Sequence, residues 1–267
     1  MGGEARKENT MTKIPELLAM LKAGVHFGHQ KSRRHPKMAP YIFTQRNGVH
    51  VFDLEATQAE LEKTLESVKN LAAQGKVVLF VGTKKQAKET VKEAAKSCGM
   101  PYLVERWIGG LLTNFPEVKK RLRKYEELKE LFKSGEAERY TKKEQLVLKK
   151  KMEKMEKYLE GLVGIEKMPD ALYVASVHAE KTAITEASRT GTEIVGVCDT
   201  NCNPSKVDYL IPANDDAVNS IKMMAELVAA AVAEGKAEWE KKKSEMPKPT
   251  RQVKKVVRNS EVKEESI

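Results

Sequence analysis

The chain has 267 residues, of which 40% are hydrophobic and 32% charged, and it carries a net charge of +10. That is enough apolar material for one large domain with appendages, and no apolar run approaches the roughly 18 residues of a membrane span. Three cysteines (Cys98, Cys198 and Cys202) make an odd set that excludes a disulfide framework and points to a reducing cytoplasm.

The charge is unevenly placed. Residues 1–40 carry +5, residues 117–160 carry +5 and residues 236–267 carry +4, while 161–235 carry −6. Basic ends and a basic insert on a slightly acidic body favour a polyanionic partner. The opening Met-Gly-Gly-Glu-Ala-Arg has no signal-peptide core, and Arg6 breaks the myristoylation pattern.

In chain order, residues 1–10 are small and polar and are expected to be disordered. Ile14 to Ala23 reads as a short amphipathic helix, with Ile14, Leu17, Leu18 and Leu21 on one face and Gly24 as its stop. Val25 to Lys37 is basic, rich in histidine and aperiodic, so a loop is expected. Tyr41 to Phe52 is a hairpin, because Asn47-Gly48 between two apolar runs suits a turn with positive φ. Asp53 to Ala73 is helical.

Val77 to Val81 is a five-residue apolar run. It is too short for a helix and suits a strand buried on both faces of a parallel sheet. A helix follows from Gln86 to Ser97, then a short strand at Pro101 to Val104. Arg106 to Phe115 is an apolar loop with paired glycines. Pro116 can open a helix, Ser134-Gly135 breaks it, and Thr141-Lys-Lys-Glu144 is a capping box that starts another. Leu148, Met152, Met155, Leu159 and Leu162 step by 4, 3, 4 and 3, a heptad seam. Strands at Ala171 to Ser176, Glu193 to Val197 and Tyr209 to Ile211 complete the sheet, with a crossover helix from Ala179 to Arg189. Asn214 caps a last helix that runs to about Glu234.

The fold class is therefore α/β: a parallel Rossmann-like sheet flanked by helices, with an inserted antiparallel coiled-coil helical hairpin. Residues 11–116 and 163–234 form the core domain, 117–162 the hairpin, and 235–267 a disordered charged tail.

Such a sheet usually serves a nucleotide enzyme, with ligands at the carboxyl ends of its strands. Here neither G-x-G-x-x-G nor G-x-x-x-x-G-K-[ST] is present, and no G-x-S-x-G elbow occurs. Lys84 and Lys85 stand where phosphate-binding glycines would. The loop carrying Lys31, Arg33, Arg34, His35 and Lys37 packs five basic or imidazole side chains into seven residues. Arginine forks suit phosphate oxygens, so nucleic acid is favoured over a merely solvated surface. His26 and His29 with Cys198 and Cys202 make one possible tetrahedral metal set, against ordinary loop histidines and thiols. Asp199 and Asp215 offer a harder alternative. A nucleotide-binding enzyme or regulator and a coiled-coil adaptor without RNA remain open.

Several segments resemble the ribosomal protein S-two family, the second protein of the small ribosomal subunit. They are Gly24-Val-His-Phe-Gly-His-Gln30, Pro36-Lys-Met-Ala-Pro-Tyr-Ile-Phe43, Arg46-Asn-Gly-Val-His50, Phe80-Val-Gly-Thr-Lys-Lys-Gln-Ala87 and Arg106-Trp-Ile-Gly-Gly-Leu-Leu-Thr-Asn114. Pro169-Asp170, Asp199-Thr-Asn201 and Ile211-Pro-Ala-Asn-Asp-Asp216 follow in the same order. The helical insert is similar to that of the bacterial and organellar branch. The resemblance implies a non-catalytic constituent of the small subunit in the cytoplasm. Its implied partners are small-subunit ribosomal RNA, neighbouring ribosomal proteins and, in bacteria, the mRNA-binding protein S-one, with no membrane and no small-molecule substrate. RNA contact is expected at Lys31, Arg33, Arg34, His35, Lys37, Lys84, Lys85 and Arg106. The resemblance also implies a single divalent ion, Zn or Mg, at His29, Asp199 and Asp215.

Overall fold

The computed structural model describes residues 14–245. Five parallel strands form the central sheet: β4 (Val78–Val81), β5 (Tyr102–Leu103), β6 (Ala171–Val174), β7 (Glu193–Cys198) and β8 (Tyr209–Pro212). Their spatial order is β5-β4-β6-β7-β8. Phe80 lies beside Tyr102 on one side and Tyr173 on the other. The apolar run at 77–81 is central because β4 has a neighbour on each edge and a helical layer on each face.

The period of two sorts its side chains. Val78 and Phe80 join Tyr173, Val195 and Val197 in one core. Leu79 and Val81 join Leu172, Val174 and Ile194 in the other. All are buried, and each such side chain contributes about 2 kcal/mol relative to exposure. The first face is covered by α2 (Leu54–Ala73), α3 (Lys88–Cys98) and α7 (Val218–Glu245); the second includes α6 (Lys181–Thr190) and the base of the hairpin.

The hairpin insertion is α4 (Phe115–Lys133) and α5 (Lys142–Leu159), which pack on each other. Pro116 sits in the first turn of α4, and Thr141 and Glu144 form the expected capping box. Val118, Leu122, Tyr125 and Leu128 are buried on α4, and Leu159 on α5. Leu146 and Val147 face solvent. Leu148, Met152 and Met155 are only half-buried, so the seam tightens towards the body.

Three expectations change. The segment after Gly24 is not all loop: Phe27–Gln30 forms β1, which pairs antiparallel with β3 (Val49–Phe52). With β2 (Ile42–Arg46) this makes a second sheet of order β1-β3-β2. Periodicity is silent over four residues with Gly28 among them. The Asn47-Gly48 turn between β2 and β3 is as expected, with φ of 51° and 77°. Second, α1 (Leu17–Ala23) buries Met20, whereas Leu17, Leu18 and Leu21 are exposed. Its apolar face looks away from the core. Third, the last helix does not stop near Glu234. Lys69 bridges Glu234 at 3.4 Å and Glu238 at 3.0 Å, and Trp239 lies against Gly75, where a Cβ would sit 2.6 Å from the ring. These anchors carry the helix to Glu245, so residues 235–245 are not a disordered tail. Residues 1–10, and the tail from 246 onward, lie outside the described residues.

Candidate nucleic-acid interface

The basic loop leaves β1 through a 3-10 turn at Lys31–Arg33 and enters a second at Pro36–Tyr41. Its shape is set by the loop after β7. His29 N–H donates to Thr200 Oγ1 at 2.9 Å, and His35 N–H donates to the Thr200 carbonyl at 2.8 Å. Gly28 permits this approach, because a Cβ there would lie 2.6 Å from Thr200 Cγ2. Met38 is fully buried and pins the far end. Between these anchors Lys31, Arg33, Arg34 and Lys37 are exposed. Among the described residues, no carboxylate lies within ion-pair distance of Lys31, Arg33 or Arg34, whereas Lys37 Nζ reaches Ser205 Oγ. The loop is thus a fixed frame with unneutralised cations. Burial, together with the charges of Arg34 and Lys31, holds the nearby His50 imidazole below its usual pKa.

Behind the loop lies a cluster of carboxylates. His29 Nδ1 is 3.1 Å from Asp199 Oδ2, and its Nε2 is 3.3 Å from Asp216 Oδ2. The hydrogen bond to Asp199 raises the His29 pKa against the opposing effect of burial, and Asp215 and Asp216 add to the rise. Asp215 is buried and receives the Ser176 hydroxyl; its pKa is raised by burial and by the neighbouring Asp199 charge. Ligand atoms of His29, Asp199 and Asp215 lie within 4.8 Å of one another. The family resemblance implies these three as a set, whereas Asp216, the second partner of His29 at 3.3 Å, is outside it. Asn214 does cap a turn here, accepting from Asp216 N–H at 2.9 Å, but α7 begins only at Val218.

Lys84 requires a correction. It does not stand free at the end of β4. Its ammonium lies 2.8 Å from Asp215 Oδ1 and 2.9 Å from Asp216 Oδ1. The first contact is an ion pair outside hydrogen-bond geometry, leaving Asp215 Oδ1 without a hydrogen-bond donor. A buried carboxylate demands a cation, and Lys84 supplies it. Lys85, one residue on, is exposed. Arg106 is also exposed, with its guanidinium 5.6 Å from the Tyr158 ring centroid.

The mixed histidine–cysteine set does not assemble. Cys198 and Cys202 are buried with their sulfurs 3.3 Å apart, and among the described residues the one metal-competent group is the His–Asp–Asp set. The apolar loop after Arg106 is held by a residue the sequence reading passed over. Glu186 of α6 accepts from Trp107 Nε1 and Gly110 N–H, both at 2.9 Å, and from Leu112 and Thr113. Its only signal in the sequence is an acidic residue on an otherwise small, apolar helix face.

One groove was also not foreseen. Leu17, Leu18 and Leu21 of α1 face Phe27 and Phe43 across a depression of about 960 Å³. Leu18 is 62% exposed, Phe27 53% and Phe43 74%.

The family model described as ribosomal protein S2 matches residues 20–235, which include the basic loop, both sheets and the hairpin. The chain belongs to the ribosomal protein S2 family. It is 44% identical over 252 residues to the small ribosomal subunit protein uS2 of Parabacteroides distasonis, covering 92% of this chain and 91% of that one. The S2 family is one of structural proteins of the small ribosomal subunit, acting in translation, and the parallel α/β body fits it. Among the described residues no helix is long and apolar enough to cross a membrane.

Proposed function

We propose that this S2 protein grips small-subunit ribosomal RNA in the cytoplasmic ribosome through the loop from Lys31 to Lys37, with Lys85 and Arg106 as outlying contacts. The observation that carries this reading is a rigidly framed set of exposed cations in which Lys31, Arg33 and Arg34 have no acidic partner among the described residues. Phosphate oxygens supply the missing charge, and the frame lowers the entropy cost of binding. An enzyme reading is disfavoured by the same fold. The order β5-β4-β6-β7-β8 places the switch point between β4 and β6. At the carboxyl end of β4, Lys84 is paired with Asp215 at 2.8 Å and Thr83 N–H donates to Glu180 at 2.9 Å, so these groups already have protein partners.

The groove between α1 and the small sheet is the proposed dock for a neighbouring ribosomal protein, with the mRNA-binding protein S-one as the candidate. Exposed leucines and phenylalanines facing one another suit an apolar helix of a partner. A single salt titration separates the two contacts. RNA affinity should fall by about a thousandfold between roughly 50 and 200 mM salt if six or more phosphates are met. Capture of S-one should survive the same change. RNA binding indifferent to salt, or protein capture lost alongside it, would contradict the assignment.

His29, Asp199 and Asp215 are proposed to hold one divalent cation. The donor set fits: one imidazole and two carboxylates, whose ligand atoms lie within 4.8 Å of one another. The imidazole favours zinc over magnesium. The ion would supply the positive charge that these buried carboxylates otherwise draw from Lys84 and His29. Zinc is expected to raise the melting temperature of the wild type and to leave that of Asp199→Asn unchanged. Identical responses from the two proteins would refute the site.

A further inference from the structure

Beside the basic loop is a second, separate feature. A cavity of about 400 Å³ opens between the turn after β6 and the loop after β7. His35 closes it on the side of the basic loop, and His178, Lys181 and Lys206 stand around it. Among the described residues, no carboxylate lines it. The buried side chains of Ile184, Val177 and Cys202 give it an apolar wall. Asn201, also in the lining, has a side-chain oxygen that is buried and without a hydrogen-bond partner. His35 Nδ1 accepts from Lys37 N–H at 3.3 Å, so in the neutral ring the proton sits on Nε2 and that nitrogen is a donor.

These features select a ligand. Lys181, Lys206 and His178 are exposed, and among the described residues none forms an ion pair. Such cations suit a phosphate. The apolar wall suits the flat face of a base. The volume lies within the range of small-ligand sites and accommodates one nucleotide rather than a helix. His35 belongs both to the cavity lining and to the basic loop, directly after Arg33 and Arg34 in the chain.

We propose that this cavity receives one unstacked nucleotide of the bound RNA, its base against Val177 and Ile184 and its phosphate against Lys181 and Lys206. The assignment rests on the RNA reading above and adds a preference: an unpaired residue in the RNA is recognised, not only its backbone. None of the side chains in the cavity belongs to the carboxylate cluster.

The test compares two RNA hairpins that differ by one bulged nucleotide, titrated with the full chain. The wild type should prefer the bulged hairpin by about tenfold. Thr185, half-buried in the lining, can be replaced to block the cavity without changing charge. Thr185→Trp should erase the preference and keep the affinity for the fully paired hairpin. Lys181→Glu, a second variant on the exposed surface, should weaken the bulged hairpin more than the paired one. Equal binding of the two hairpins by the wild type, or a preference that survives Thr185→Trp, would overturn the cavity assignment alone. Failure to bind either hairpin would overturn the RNA reading as well. Binding of free adenosine monophosphate as tight as that of the bulged hairpin would make the cavity a small-molecule site and would also overturn the proposal.

Discussion

Replacing Glu186 by alanine should lower the melting temperature by about 10 °C, the largest stability loss we expect from one polar side chain. Glu186 is 7% exposed and gathers the Trp107 indole N–H, three backbone N–H groups and the Thr113 hydroxyl. Alanine would strand those donors in a low-dielectric loop. Each unsatisfied group costs about 1–3 kcal/mol, and partial access of water reduces the sum to about 3–5 kcal/mol. Glu186→Gln, which keeps one acceptor oxygen, should recover part of the loss. Thermal unfolding of the three proteins at one salt concentration measures this, and an alanine variant that melts with the wild type would remove Glu186 as the anchor of residues 107–113.

The same residue predicts an acid limb. Burial pushes the Glu186 carboxyl up, but the hydrogen bonds from Trp107, Gly110, Leu112 and Thr113 outweigh it and hold the pKa below the usual glutamate value. A carboxyl with a depressed folded pKa stabilises the protein above its unfolded pKa and loses that contribution as pH falls through the folded one. The wild type should therefore lose its advantage over Glu186→Gln below about pH 4.5. The difference should be constant near neutrality.

Much of this architecture was legible in the residues because periodicity encodes it. Val77 to Val81 suits a strand covered on both faces, and Asn47-Gly48 suits a tight turn. The capping box at Thr141 and Glu144 announced a helix start that the structure reproduces. The misreadings share one cause, which is that tertiary partners are invisible in a local window. Nothing near Lys84 in the chain foretells Asp215 and Asp216, which are more than 130 residues away. A free cation and a buried counter-ion look alike until the sheet brings them together. Phe27–Gln30 is too short to carry a pattern, and its partner β3 lies some twenty residues on in the chain. Leucines 17, 18 and 21 read as one face of an amphipathic helix, and sequence does not distinguish a face buried at home from one left exposed. The helix beyond Glu234 was read from its charge, whereas Trp239 and the Lys69 bridges determine it.

The charge-reversed variant Arg33→Glu, Arg34→Glu carries the largest functional effect. Both arginines are exposed and belong to no core, so the fold and its circular dichroism should be unchanged. Four units of charge change at the proposed RNA contact should cost roughly a hundredfold or more in affinity at physiological salt. The decisive measurement is incorporation of this double variant into small ribosomal subunits in cells that also express the wild type, read from sedimented particles. We expect the wild type in the particles and the natively folded variant in the free pool. Incorporation of the variant at the level of the wild type would contradict the claim that this loop grips the RNA.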